Sequence, residues 1–231
     1  MNQRHFVTLE GNIGCGKSTL LHHLELMGNV NVVTEPVAEW CRPVLPNGQG
    51  MLQAYYANPF ANGFAFQMYV LLSRARQSRI LAACGDTRPI LMERCMSSDF
   101  ELFGKTQKHD GLMSDEQWTA YHGWHEELSS TLPFGAQPPA IIYMRCDPEV
   151  CFRRVTTRGR KGEHVIDEEC LRNLHQAHET WVAGLKGTRV LVLDANEDGD
   201  DAVARLAVLV SRFIHEVAPV AAATSPEEPV S

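Results

Sequence analysis

At 231 residues with 44% hydrophobic side chains, the chain has apolar material for one substantial core, and a single compact α/β domain over residues 1–217 is expected. A formal net charge of -7 excludes a general nucleic-acid binder, which carries a basic face, and favours a small-molecule partner in a locally positive pocket. No apolar run reaches the roughly 18 residues needed to span a bilayer. Seven cysteines without a C-x-x-C pair read as reduced thiols rather than zinc ligands or a disulfide framework. The first strand begins about four residues after Met1, leaving no room for a signal or transit peptide, so the cytosol is the default setting.

The first apolar run, 5–10, leads into Gly11-Asn12-Ile13-Gly14-Cys15-Gly16-Lys17-Ser18-Thr19 and then a helical pattern over 17–27. Strand, glycine-rich loop and helix are the context that G-x-x-x-x-G-K-[ST] requires. Backbone N–H groups turned inward at a helix N-terminus cradle a polyphosphate. Lys17 is then expected over the β- and γ-phosphates of ATP, with the Ser18 hydroxyl on Mg²⁺. Further short continuous apolar runs at 29–35, 89–94, 140–146 and 190–195 read as strands covered on both faces. Helical patterns at 62–84, 114–131, 148–158, 167–185 and 199–217 alternate with them, which predicts a parallel sheet with right-handed crossovers. Polar residues at strand C-terminal ends then gather along one edge: Glu10, Glu35, Glu93 and Arg94.

Glu35-Pro36-Val37 follows the second strand, with Trp40 shortly after. Across the mouth of the sheet from the phosphate loop, Glu35 could accept a proton from a substrate hydroxyl. In the helix over 62–84, Gln67, Val70 and Arg74 fall on one face, and Phe66 adjoins Val70. Gln67 can pair with a base edge while Phe66 offers a stacking surface, although periodicity alone reads the same helix as an amphipathic core element. Glu93-Arg94 ends the third strand, where Glu93 would serve Mg²⁺. Asp99 and Phe103 follow, with an Asp99–Arg74 pair expected across the pocket. The stretch 153–163 packs five cations, Arg153, Arg154, Arg158, Arg160 and Lys161, into a glycine-flanked segment. Beside a triphosphate site this reads as a lid clamping the transferred phosphoryl group. His175 and His178 share a helix face without companion ligands and read as surface or hydrogen-bonded histidines. Residues 218–231 are aperiodic Ala, Pro, Ser, Glu and Val, and read as a disordered tail.

Together the glycine loop, Glu35-Pro36-Val37 with Trp40, Phe64-Ala65-Phe66-Gln67, Glu93-Arg94 with Ser98-Asp99, Trp118 through Trp124-His125, Arg158-Gly159-Arg160, and Leu191 through Glu197 resemble the deoxyribonucleoside kinase family, over Phe6 to about Glu197. The resemblance implies a P-loop kinase fold: a five-stranded parallel sheet wrapped by helices with a short Arg-rich lid, in a homodimer joined through a helix bundle. It implies ATP and Mg²⁺, a deoxyribonucleoside acceptor, and transfer of the γ-phosphate to its 5′-hydroxyl. Glu35 would be the general base and Arg94 would orient the hydroxyl. Tyr56 and Glu163 would hold the sugar 3′-hydroxyl, Gln67 would read the base, and Phe66 and Phe103 would sandwich it. Arg154, Arg158 and Arg160 would serve the phosphates. Members favouring deoxycytidine and purines look like they carry the Arg74/Asp99 pair, whereas Val70 is more like pyrimidine-preferring members. Amino-bearing bases are therefore expected over thymine. A thymidine-preferring or broad-specificity enzyme, a nucleoside monophosphate kinase and a non-catalytic ATP-binding subunit remain the alternatives.

Overall fold

A computed structural model describes residues 6–217 apart from residues 136 and 161. The expected tail and Lys161 lie outside the described residues. Five parallel strands, β1 (Phe6–Gly11), β2 (Asn31–Val33), β3 (Ile90–Glu93), β4 (Ala140–Arg145) and β5 (Arg189–Asp194), form one sheet in the order β2-β3-β1-β4-β5. β1 is buried along its whole length, with Leu9 facing Glu93 on one side and Ile142 on the other. The edge strands differ from expectation. β2 pairs only through Asn31 to Val33, and β5 leaves Val192 exposed, because an edge strand has a neighbour on one side only.

The helices α1 (Lys17–Met27), α4 (Pro59–Ala83), α7 (Asp115–Thr131), α8 (Pro148–Arg158), α9 (Glu168–Gly184) and α10 (Asp200–Val217) occupy the expected segments within a few residues. α4 begins earlier than its periodicity indicates, because Asn58 caps Ala61 N and Pro59 suits the first turn. The short helices α2 (Val37–Cys41), α3 (Met51–Ala57), α5 (Met96–Ser98) and α6 (Lys105–His109) were not expected, since each is too brief to show a period. Between α5 and α6 lies a π-helical turn, Asp99–Gly104, a wider coil that recurs at functional sites.

Leu21, Leu24, Ile142, Val210 and Ile214 build a core under the sheet. A second cluster packs Leu71 and Ala75 of α4 against Phe100 and Tyr121. Because the chain leaves β1 for one side of the sheet and later crosses to β4 on the other, a crevice opens at the C-terminal end of β1. Open parallel sheets bind ligands there. Among the described residues, no helix is long and apolar enough to cross a membrane.

Candidate active site

The phosphate loop leaves β1 at this crevice. Gly14 has a positive φ of 84°, and a Cβ there would sit 2.7 Å from the Cys151 carbonyl oxygen, so the loop lies directly on α8 only because the residue is glycine. Gly16, also left-handed, precedes α1, whose leading amides supply the positive end of a helix. Lys17 is buried, its Nζ donating to the carbonyls of Gly11 and Asn12 at 3.0 Å each. Asn12 points away, donating to the Leu171 carbonyl of α9 at 2.8 Å and accepting from Ile13 N. Gly11 and Asn12 therefore brace the loop, while Ile13 through Thr19 line the cleft.

That cleft, of about 510 Å³, also presents Glu93, Arg94, Arg154, Arg158 and Arg160. A second cleft of about 430 Å³ lies on the far side of Glu35 and is walled by Trp40, Tyr56, Phe66, Gln67, Val70, Asp99, Phe103 and Glu163. Ile13, Glu35, Val37, Arg94 and Arg160 line both, so the two spaces meet at Glu35 and Arg94. The sequence-derived donor and acceptor residues thus separate into adjoining compartments, except Arg74, which lines neither cleft and reaches the site only through its contacts to Glu35 and Asp99.

Glu35 is held from several directions. Its backbone N–H donates to Glu93 Oε2 at 3.2 Å, and its Oε1 accepts from Arg74 Nη2 at 3.0 Å and lies 3.5 Å from Arg94 Nε. Its side chain keeps 17% exposure, whereas those of Arg74 and Arg94 keep 2% each. Arg74 also forks onto Asp99 at 2.7 and 3.4 Å and donates to the Glu93 carbonyl. Burial alone would lower the Arg74 pKa, but Asp99 and Glu35 outweigh it and hold the guanidinium charged.

Arg94 sits at φ 62°, the only described non-glycine residue at positive φ. Such a conformation costs about 1–3 kcal/mol and persists where surrounding contacts impose it. Those contacts are Arg94 N to Leu9 O, Nη2 to Gly11 O at 3.0 Å, and the guanidinium stacked 4.7 Å above the Phe103 ring. Its Nη1 has no protein acceptor, which leaves a buried donor for a ligand oxygen. Beneath it, burial pushes the Glu10 carboxyl up to about 7 against the attraction of Arg94.

The acceptor wall is aromatic. Phe66 meets Trp40 edge-on at 5.8 Å and stacks on Tyr55 at 5.0 Å; Trp40 Nε1 donates to Ser73 Oγ. One face of Phe66 is therefore covered by protein, and Phe103 carries Arg94 on its own ring. Tyr55 joins this wall from α3, whose seven residues are too few to give an aromatic a periodic signal in the sequence. Burial and the neighbouring Glu163 raise the Tyr56 phenol above its ordinary range.

In the lid, Arg158 Nε and Nη2 donate to the buried Glu163 carboxylate at 3.1 and 2.7 Å, and Arg160 Nη1 donates at 3.4 Å. Arg154 faces the donor cleft, but its guanidinium is engaged by the carbonyls of Ala195 and Glu197 and by Asp198. That arrangement makes it a brace between the phosphate loop and the β5–α10 connection. Ser18 and Glu93 line one cleft, offering a hydroxyl and a carboxylate, hard oxygen donors suited to Mg²⁺. His178 is a core histidine, with Nδ1 on the Leu174 carbonyl and its ring stacked on Tyr143.

Residues 7–215 match the family described as deoxynucleoside kinase. Deoxycytidine kinase 2 of Gallus gallus is 34% identical over 218 residues, covering 83% of this chain and 82% of its own. Deoxycytidine kinase of Homo sapiens is 32% identical over 235 residues, 90% of each chain. Thymidine kinase of Ictalurid herpesvirus 1 is 32% identical over 207 residues, 88% of this chain and 85% of its own. A match that runs from the first strand into the last helix takes in the phosphate loop, the lid and both clefts, and on it the chain belongs to the deoxynucleoside kinase family, the phosphotransferases that its site chemistry anticipates.

Proposed function

We propose that this chain transfers the γ-phosphate of ATP to the 5′-hydroxyl of a deoxyribonucleoside, favouring deoxycytidine and purine deoxynucleosides over thymidine. The observation that carries this reading is the meeting of the two clefts at Glu35 and Arg94. A triphosphate in one and a nucleoside in the other bring the γ-phosphate and a hydroxyl to the same carboxylate. Glu35 takes the hydroxyl proton as the oxygen attacks, and Arg94 holds that oxygen through its unpartnered Nη1. Lys17 lies at the floor of the phosphate loop, where its charge meets the β- and γ-oxygens. Arg158 and Arg160 pass from Glu163 to the phosphoryl oxygens, which frees Glu163 to join Tyr56 on the sugar 3′-hydroxyl. Closing the lid and gripping the sugar are thereby one exchange of partners. Ser18 and Glu93 would hold Mg²⁺, which neutralises charge on the β- and γ-phosphates when bound.

Base choice rests on the Arg74–Asp99 pair. A carboxylate at the base edge accepts from an exocyclic amino group and opposes a thymine carbonyl. The deoxycytidine kinases among the relatives agree with this preference. Initial rates with Mg-ATP against the four deoxynucleosides, with thymidylate as control, provide the test. Deoxycytidine or a purine deoxynucleoside is expected to lead. Thymidine leading would remove the account of base choice, and activity on thymidylate alone would remove the acceptor assignment.

A homodimer is proposed through α4 and α7, which pack together and expose Leu72, Ile80 and Trp124. Sedimentation at micromolar concentration should give a dimer, and Ile80→Glu a monomer; a monomeric wild-type protein would end the proposal. The buried thiols Cys15, Cys95, Cys146 and Cys151 suit a reducing compartment, and the cytosol is proposed as the setting.

A further inference from the structure

Asp99 and Phe103 reach the acceptor cleft from the π-helical turn, and the residue after each, Phe100 and Gly104, lies against α7 instead. The turn is closed by the Lys105 N–H donating to the Phe100 carbonyl, five residues back, where an α-helix would reach only four. The contacts that favour this wider coil come from α7. His125 lies nearly parallel to the Phe100 ring at 4.2 Å and 17°, Trp118 stacks on it at 5.4 Å and Tyr121 at 6.0 Å. Gly104 completes the fit, since a Cβ there would stand 2.6 Å from Cε1 of the buried Tyr121 ring. None of these α7 side chains, nor Phe100, lines either cleft.

His125 is itself fixed in place. Its ring hydrogen bonds to the backbone of Met96, and its Nε2 lies 3.2 Å from Ser129 Oγ, one turn along α7. Burial holds the imidazole pKa below its ordinary value, so at neutral pH the ring is uncharged, with one nitrogen donating and the other accepting. Met96 opens α5 just before the turn, and Phe100 lies within it. One side chain of α7 therefore grips the segment on either side of Asp99.

We propose that His125 is a positioning residue of the acceptor site: its ring, stacked on Phe100, holds the π-helical turn at the angle that delivers Asp99 and Phe103 to the base. Without the stack the turn is free to tighten towards α-helical bonding, and Asp99 and Phe103 shift together. Lys17 and Glu35 belong to other elements and stay where they are. Arg94 lies under the Phe103 ring but keeps its bonds to Leu9 and Gly11. This inference rests on the acceptor site proposed above and goes beyond it by naming a residue, outside both clefts, that sets the grip on the base.

Three steady-state constants of His125→Ala provide the test: the KM for deoxycytidine, the KM for Mg-ATP and kcat. The deoxycytidine KM is expected to rise about tenfold, the worth of one aromatic stack, while kcat and the Mg-ATP KM stay within about twofold. His125→Phe restores a ring over Phe100 and should return the deoxycytidine KM to within about threefold of the wild-type value. A merely structural histidine would lower the melting temperature and the active fraction, and with it kcat, and leave both KM values as they were. That pattern, or a His125→Phe variant as impaired in deoxycytidine KM as His125→Ala, overturns the proposal while wild-type turnover keeps the kinase reading. A wild-type protein that phosphorylates no deoxynucleoside overturns both.

Discussion

Glu35→Gln is expected to lower kcat by about 10²–10⁴-fold while the nucleoside dissociation constant stays within a few-fold. The substitution is informative because the side chain is so well held. An amide oxygen at Oε1 can still accept from Arg74 Nη2, and the Glu93 contact to the backbone N–H does not involve the side chain. The glutamine therefore occupies the place of the carboxylate without its capacity to take a proton. Single-turnover rates with Mg-ATP, paired with calorimetric nucleoside binding, separate the chemical step from affinity. Turnover near that of the wild-type protein would remove Glu35 from the role of base.

Arg74→Met should produce the largest loss of stability. It removes the cation that two carboxylates share and strands Asp99, whose side chain is 6% exposed. Breaking a buried pair from one side costs about 3–5 kcal/mol, whereas replacing both partners with apolar groups is often close to neutral. The double variant Arg74→Met/Asp99→Ala is accordingly expected to recover most of the melting temperature lost in the single variant. It also exchanges a charged base edge for apolar space. A pocket methyl is worth about 10–200-fold in selectivity, so the thymidine to deoxycytidine ratio of kcat/KM should rise within that range. Thermal denaturation and paired kinetics check the two halves independently. A double variant as unstable as Arg74→Met, with an unchanged ratio, would show that the pair neither offsets its own burial nor selects the base.

The arginine forks at Arg158 and Arg160 are closed within their own segment. In the sequence, Arg158, Arg160 and Glu163 belong to different roles, the cations at phosphate and the carboxylate at sugar. In the folded chain they are one another's partners. Under the proposed mechanism ligand binding exchanges those contacts, which would couple occupation of the donor cleft to the grip on the acceptor. Arg154 shows the opposite outcome. Its place in the same cationic run says nothing of the carbonyls of Ala195 and Glu197 that engage it, because they arrive from the connection between β5 and α10, far along the chain.

The alternation of short apolar runs with helical periods was enough to determine the parallel α/β sheet, since burial on both faces and on one face leaves different local patterns. The phosphate loop was equally legible: its glycines, lysine and hydroxyl residues are contiguous, and their chemistry depends on spacing within a single turn. The family resemblance added the identity of the acceptor and roles for Arg94, Tyr56 and Glu163 to what residue chemistry already indicated for Glu35, Gln67 and the Arg74–Asp99 pair. Only the tertiary structure decided how these groups are shared. Arg74 serves Glu35 and Asp99 together, Arg94 is forced to positive φ over Phe103, and Tyr55 and Gln107 join the acceptor wall from helices too short to announce themselves. The physical reason is that periodicity records which face of an element is buried, whereas partners, strain and unmet hydrogen bonds depend on what other elements bring to that face.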